Sequence, residues 1–134
     1  MHRFVYLGSK TNYNSRSVKK KIQDYTKHAS ESMVIYFLDT DKISIDPDAI
    51  KFNNEISAYC KNNNFYIVWF CKDIEDVFLH KDVANDQKKT EAMNFSKRPG
   101  LGKATHNSLS QENPLARQKS NMLNVLDMFF KRKN

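Results

Sequence analysis

The sequence predicts an α/β fold, a small parallel sheet with flanking helices in three layers, followed by an extra C-terminal helix. Three short apolar runs of strand length are separated by segments in which apolar residues recur at helical spacing. This alternation indicates parallel strands joined by right-handed crossovers. A chain of 134 residues has the size of one domain, so 1–134 is predicted to be a single domain.

The N-terminal part is predicted to form a strand, a helix and a second strand. Arg3–Leu7 is rich in β-prone residues and stops at Gly8, which is typical of a short strand. In Ser15–Ala29, apolar residues lie at helical spacing with cations on the opposite side, which predicts a helix with a basic outer face. The continuous apolar run Met33–Leu38 is typical of a strand buried on both faces.

The middle of the chain continues the same order. Asp46 is a favourable N-cap and Pro47 suits the first helical position, so a second helix is predicted to begin here and to end at the asparagines 62–64. The run Phe65–Phe70 predicts a third buried strand, and Asp73–His80 predicts a short helix directly after it.

The signals weaken towards the C-terminus. The predicted core covers 3–82, and 83–113 is predicted to be loop-rich, with a helical turn at Thr90–Phe95 and a Pro/Gly turn at Arg98–Lys103. Asn113 is a candidate cap for a long amphipathic helix over 114–133.

The lengths of the apolar runs exclude a transmembrane helix, and the N-terminus bears on the compartment. The apolar runs are far shorter than the roughly 18 residues that a membrane span needs. The first ten residues hold too few apolar side chains for a signal peptide, so the protein is expected to be cytoplasmic. Cys60 and Cys71 belong to no CxxC or Cys/His cluster and are therefore predicted to be buried thiols.

The net charge of +7 is unevenly distributed along the chain. Residues 1–30 carry +6, residues 31–92 carry −5 and residues 93–134 carry +6. Basic ends around an acidic middle suit a protein that holds a cation beside a polyanion, although a solvated surface is the alternative. Because 17 of the 22 cations are Lys, nucleic acid would be contacted without sequence specificity. The candidate contacts are Lys10, Arg16, Lys20, Lys97, Arg98 and Lys103.

Acidic residues follow two of the predicted strands. Asp39 and Asp41 come where the second strand ends, on the same side of an extended chain, and Glu75 follows the third strand. Carboxyl ends of parallel strands meet at one edge of a sheet, so these oxygens are expected to hold Mg²⁺ or Mn²⁺. The alternative is that they are ordinary loop residues, since Asp is favoured after strands.

Two segments resemble motifs of a known family. Val34–Lys42, VIYFLDTDK, resembles the strand and DxD motif of the Toprim domain. Ile67–His80, IVWFCKDIEDVFLH, is similar to the FE-W-LLLH signature of the RloB-like and overcoming-lysogenization-defect branches of that family, which occur in bacterial and phage defence loci. The resemblance implies a Toprim/Rossmann-like fold and a metal-dependent nuclease of an abortive-infection system, with Asp39, Asp41 and Glu75 as catalytic and metal-binding residues.

The first predicted strand departs from the family pattern. Gly8, Lys10 and Thr11 resemble its Glu-Gly-x-x-Thr turn, but Leu7 stands where the family has the glutamate that acts as general acid/base. A catalytically degenerate binding module, or a subunit that docks on a partner protein, is therefore a second hypothesis. A third takes FLDTDKI as the motif of haloacid-dehalogenase-type phosphotransferases, with Asp39 as nucleophile and Asp41 as acid/base.

Overall fold

The computed structural model describes residues 2–42, 45–98, 100–112, 114 and 116–130. They form an α/β fold with a three-stranded sheet and five α-helices. The strands are β1 (Ile35–Asp39), β2 (Tyr66–Cys71) and β3 (Lys119–Ser120). The helices are α1 (Arg16–Thr26), α2 (Pro47–Asn62), α3 (Ile74–Leu79), α4 (Lys88–Ser96) and α5 (Met122–Leu126). Short 3-10 turns are Lys10–Asn12 and Asn85–Gln87.

The sheet is mixed, with β2 at its centre. β1 and β2 are parallel, as predicted, with Asp39 opposite Phe70. β3 pairs with the other edge of β2 in the antiparallel direction, with Ser120 opposite Phe70. The prediction of an all-parallel sheet is therefore wrong, because β3, which was not predicted as a strand, runs antiparallel to β2.

Apolar clusters lie on both faces of β2, because successive side chains of a strand point to opposite sides. One cluster contains Val68, Phe70, Val77, Leu109 and Val125. The other contains Tyr36, Leu38, Ile56 and Cys60, with Leu7 and Trp69 packed against it. β1 is covered on one face only, since Phe37 is 52% exposed, so the prediction that this strand is buried on both faces is wrong.

The predicted helix starts are confirmed by their caps. The side chain of Ser15 accepts a hydrogen bond from the amide three residues later, and Asp46 accepts one from the Asp48 amide at 3.0 Å. Asp73 caps α3 in the same way. The helical turn predicted at Thr90–Phe95 is confirmed within the longer α4.

The predicted first strand is not formed. Arg3–Leu7 has no strand conformation, and Phe4 and Tyr6 are 89% and 92% exposed. The Leu7 carbonyl, which a ladder would need, instead accepts a hydrogen bond from the Asn12 side chain at 2.9 Å. The segment therefore forms a local turn instead of pairing with a strand of the sheet.

The long C-terminal helix predicted for 114–133 is also wrong, because the described residues there form β3 and only a five-residue α5. The side chain of Asn121 explains the difference. Its Oδ1 accepts a hydrogen bond from the backbone N–H of Trp69 at 2.7 Å, and its Nδ2 donates one to the Ile67 carbonyl at 2.9 Å. The backbone N–H and C=O groups at the open edge of β2 need hydrogen-bond partners, and this segment supplies them. The free energy gained by this pairing exceeds the free energy that a longer helix would contribute. The predicted cap Asn113 and residues 131–133 lie outside the described residues.

Cys60 and Cys71 are free and buried, as predicted, and burial raises the pKa of the Cys60 thiol to about 11. Among the described residues, no helix combines the length and apolar character that a bilayer crossing requires.

A buried ion pair fixes α3 to the segment before β3. Asp76 is fully buried, and Arg117 donates to both of its oxygens at 2.8 and 3.1 Å. Burial opposes ionisation of Asp76, but the hydrogen bonds and charge of Arg117 outweigh it and hold the pKa of this carboxyl below its usual value.

Replacing Arg117 with Met should lower the free energy of unfolding, because the fully buried Asp76 carboxylate loses the two hydrogen bonds that Arg117 donates. Urea denaturation followed by circular dichroism measures this. The double variant Asp76→Asn/Arg117→Met should lose less unfolding free energy than the single variant, since position 76 then carries no buried charge. A single variant within about 0.5 kcal/mol of wild type would contradict the structural role of the pair.

Candidate functional site

The carboxyl end of β1 carries the two aspartates singled out by the sequence. Asp39 is the last residue of β1, and its Oδ1 accepts a hydrogen bond from the Ile74 amide at 3.0 Å. Asp41 adopts a left-handed backbone conformation, φ 62°, and its amide donates to the Lys72 carbonyl at 2.9 Å. Both residues are therefore tied to the loop that follows β2.

A lysine ammonium occupies the space between these residues and α2. Lys10 Nζ lies 2.9 Å from the Asp39 carbonyl oxygen, 2.6 Å from Asp41 Oδ2 and 2.8 Å from Asn53 Oδ1. The Lys10 side chain is only 14% exposed. Its ammonium also lies within 6 Å of the ring centroids of Phe52 and Trp69, where a cation is attracted to the ring face.

Asn53 completes this arrangement and was not predicted. It is buried in α2, accepts from Lys10 through Oδ1, and donates through Nδ2 to the Thr40 carbonyl at 2.9 Å. The sequence held a signal for it: Asn53 lies on the apolar stripe with Ala49 and Ile56, and a polar residue on a buried face needs a partner.

Asp39 is surrounded by other carboxylates. Burial raises the pKa of the Asp39 carboxyl to about 6, the Ile74 hydrogen bond opposes the shift, and the charges of Asp73, Glu75 and Asp41 add to it. A carboxylate in such a place binds a proton more readily than an exposed one.

Glu75 lies near this group but faces another cation. Its side chain is 15% exposed, and Oε1 lies 3.8 Å from Lys88 Nζ of α4. The other oxygen, Oε2, is buried and accepts no hydrogen bond from the described residues.

The predicted magnesium or manganese site has no three-ligand arrangement in the described part of the chain. No three His, Cys, Asp or Glu side chains there are placed to hold one ion. Asp39 and Asp41, expected to share a cation, have different partners: Asp39 the Ile74 amide, and Asp41 the Lys10 ammonium. Metal binding by Asp39, Asp41 and Glu75 stays a prediction.

The residues predicted to contact nucleic acid fall into three places. Lys10 is directed at protein oxygens, as described above. Arg16 and Lys20 are exposed on α1, and Lys97 is exposed at the end of α4. Arg98 and Lys103 line a cavity beside Phe78 and Phe95, two rings that sequence reasoning did not connect with these cations.

Comparison with known proteins found no match to a family model, to a curated protein or to a solved structure. The resemblance to Toprim domains therefore depends on the quoted residues alone and remains a prediction.

The raised pKa of Asp39 predicts a specific pH dependence. A carboxyl whose folded-state pKa is raised contributes stability that is fully present below about pH 4 and is lost as the pH rises through about 6. Asp39→Asn removes the charge and keeps the acceptor for the Ile74 amide. The variant should therefore be more stable than wild type at pH 8, by about 1–3 kcal/mol, and nearly equal to it at pH 4.

Urea denaturation in a chelating buffer at several pH values measures this difference. The control is Asp24→Asn, which removes an exposed carboxylate from α1. An equal pH dependence in the two variants would contradict the environment assigned to Asp39.

Proposed function

We propose that this chain is a nucleic-acid-binding module, a Toprim-like protein of a prokaryotic or phage defence system. It binds the phosphate backbone of nucleic acid without cleaving it. The observation that carries the proposal is the basic face of α1, which consists of Arg16, Lys20 and Lys27. These residues are four and seven positions apart, so they form one row, and all are exposed. At 1.5 Å per residue the row extends over about 16 Å.

The basic face is free to attract phosphates. None of the ion pairs found between described residues includes a cation of α1. Asp24, four positions after Lys20, lies in the same row and is the single acidic residue within Arg16–Thr26, so the row carries three cations and one anion. Lys19 and Lys21 add further positive charge on α1. Binding to such a surface gains free energy from counterion release and is therefore expected to be salt-dependent and largely sequence-independent.

Exposed aromatic rings beside α1 favour single strands. The Arg3 guanidinium lies 5.6 Å from the ring centroid of Tyr25, so the N-terminal segment lies against α1 at this point. Phe4 and Tyr6 follow in this segment with their rings almost fully exposed. Cations next to accessible rings are the combination that binds single-stranded nucleic acid, because bases stack on the rings while cations neutralise phosphates.

The basic face can be tested by removing its charge. The test variant carries Arg16→Gln, Lys20→Gln and Lys27→Gln. It should bind a labelled single strand of about 12 nucleotides more weakly, and the slope of log K against log salt should fall by about 2, since each phosphate contact contributes about 0.7. Fluorescence anisotropy at several salt concentrations measures both quantities.

A control variant separates this surface from net charge. It removes three exposed cations from other helices: Lys51→Gln, Lys61→Gln and Lys89→Gln. The control should change the salt slope by less than about 1. Equal losses in the two variants, or binding by wild type that does not fall as salt rises, would refute the proposal.

A second candidate function is Mg²⁺- or Mn²⁺-dependent phosphodiester cleavage, and the environment of Asp39 favours it. Burial raises the pKa of Asp39, and the charges of the neighbouring carboxylates Asp73, Glu75 and Asp41 add to the shift. A divalent cation would relieve this repulsion and polarise a phosphate. Two features weigh against it: Lys10 already holds Asp41, and Leu7 offers no carboxylate for proton transfer.

Isothermal titration with Mn²⁺ distinguishes the two functions. The binding-module proposal predicts that wild type and the double variant Asp39→Asn/Asp41→Asn give the same weak or absent binding. Binding in wild type that the folded double variant lacks would instead show the metal site that the second candidate requires.

A further inference from the structure

A cavity of about 540 Å³ lies between the end of α3, α4 and the loop 100–103, away from the basic face and the carboxyl end of β1. This volume is within the range of small-molecule sites, about 300–1,000 Å³. The residues that matter for its chemistry are Phe78, Lys81, Glu91, Phe95, Arg98 and Lys103.

Two aromatic rings provide the apolar part of the cavity. Phe78 and Phe95 lie with ring centroids 5.6 Å apart and planes tilted by 58°. Phe78 in turn packs on Phe70 of the central strand, with centroids 6.1 Å apart. The rings are therefore held by the core, and both are partly exposed towards the cavity.

The loop 100–103 is seated firmly on these rings. The Lys103 amide donates to the Phe78 carbonyl at 2.8 Å. Gly102 has φ +61°, and a Cβ there would lie 2.6 Å from both the Phe78 carbonyl oxygen and Phe95 Cε2. Only glycine allows this approach, so the wall that carries Lys103 is formed before any ligand binds.

Two of the cations that line the cavity form no ion pair with any residue that the structure describes. Lys81 forms an ion pair with Glu91 at 3.0 Å. Arg98 and Lys103 take part in none of the ion pairs between described residues. A guanidinium and an ammonium that line the same cavity are suited to a phosphate dianion, which Arg can bind in bidentate geometry.

We propose that this cavity binds a nucleoside monophosphate, with the phosphate at Arg98 and Lys103 and the base against Phe78 and Phe95. A planar base and a doubly charged phosphate match the two halves of the cavity. The nucleotide is either free or the 5′-phosphorylated end of a strand, and the chemistry recognised is the same in both cases. The proposal does not depend on binding at α1.

Adenosine 5′-monophosphate is the first probe, and its binding is followed by the amide shifts of Gly102 and Lys103 in ¹⁵N-labelled protein. Adenosine and inorganic phosphate are titrated separately. Each should bind at least about tenfold more weakly than the nucleotide, because each fills one half of the site. Phosphate that binds as tightly as the nucleotide, or nucleotide shifts absent from this loop, would overturn the proposal.

Two variants test the residues. Arg98→Gln/Lys103→Gln should weaken nucleotide binding by about tenfold or more, since it removes charge-assisted hydrogen bonds. Phe95→Leu keeps an apolar side chain at this position and should weaken the binding of the nucleotide but not that of inorganic phosphate. The control Lys89→Gln/Lys97→Gln removes the same charge from α4 outside the cavity and should stay within about twofold. Equal losses in the test and control pairs would overturn the proposal.

The source of the nucleotide is distinguished in the background of the α1 triple variant, so that binding at the basic face does not contribute. A 5′-phosphorylated oligonucleotide and its unphosphorylated twin are compared with the free nucleotide. Tight binding of the phosphorylated strand identifies a strand end, and preference for the free nucleotide identifies a small ligand. Absence of shifts in the loop 100–103 with both the free nucleotide and the phosphorylated strand would overturn the proposal.

Discussion

The rest of this structure depends on the hydrogen bonds that the Lys10 ammonium donates. The ammonium joins three separate parts of the chain: the 3-10 turn that carries Lys10, the end of β1, and α2 through Asn53. Hydrogen bonds to a charged group contribute about 1.5–3 kcal/mol each, so this largely buried contact is worth more than an exposed ion pair. It also supplies a positive charge where the sequence predicted a bound metal ion.

The Lys10 ammonium at the carboxyl end of β1 determines which charged side chains of the protein have partners. Asp41 is neutralised within the chain, and Asp39 retains a raised pKa among carboxylates that have other partners. Among the described residues, the cations that form no ion pair include those of the basic face and the Arg98 and Lys103 that line the cavity formed by α3, α4 and the loop 100–103. This separation favours binding of phosphates at the surface over chemistry at the sheet edge.

Local signals predicted the parts of the fold that depend on local interactions. The cap at Asp46, the helix that starts near Ser15 and the parallel pairing of β1 with β2 follow from residue type and spacing. The failures come from long-range competition: Asn121 pairs with the open edge of β2, 52 residues from Trp69, and diverts an amphipathic segment from helix. The position of Lys10 could not be predicted either, because its partners lie 29 to 43 residues away.

The central claim is that Lys10 provides the cation of the sheet edge, and the ¹H–¹⁵N spectrum of lysine side-chain ammonium groups tests it most directly. Spectra are recorded in metal-free buffer and again with millimolar Mg²⁺. The account predicts an exchange-protected ammonium resonance that Lys10→Met removes and that Mg²⁺ leaves unchanged. Loss of this resonance on addition of Mg²⁺, or absence of a protected Lys10 ammonium, would contradict it.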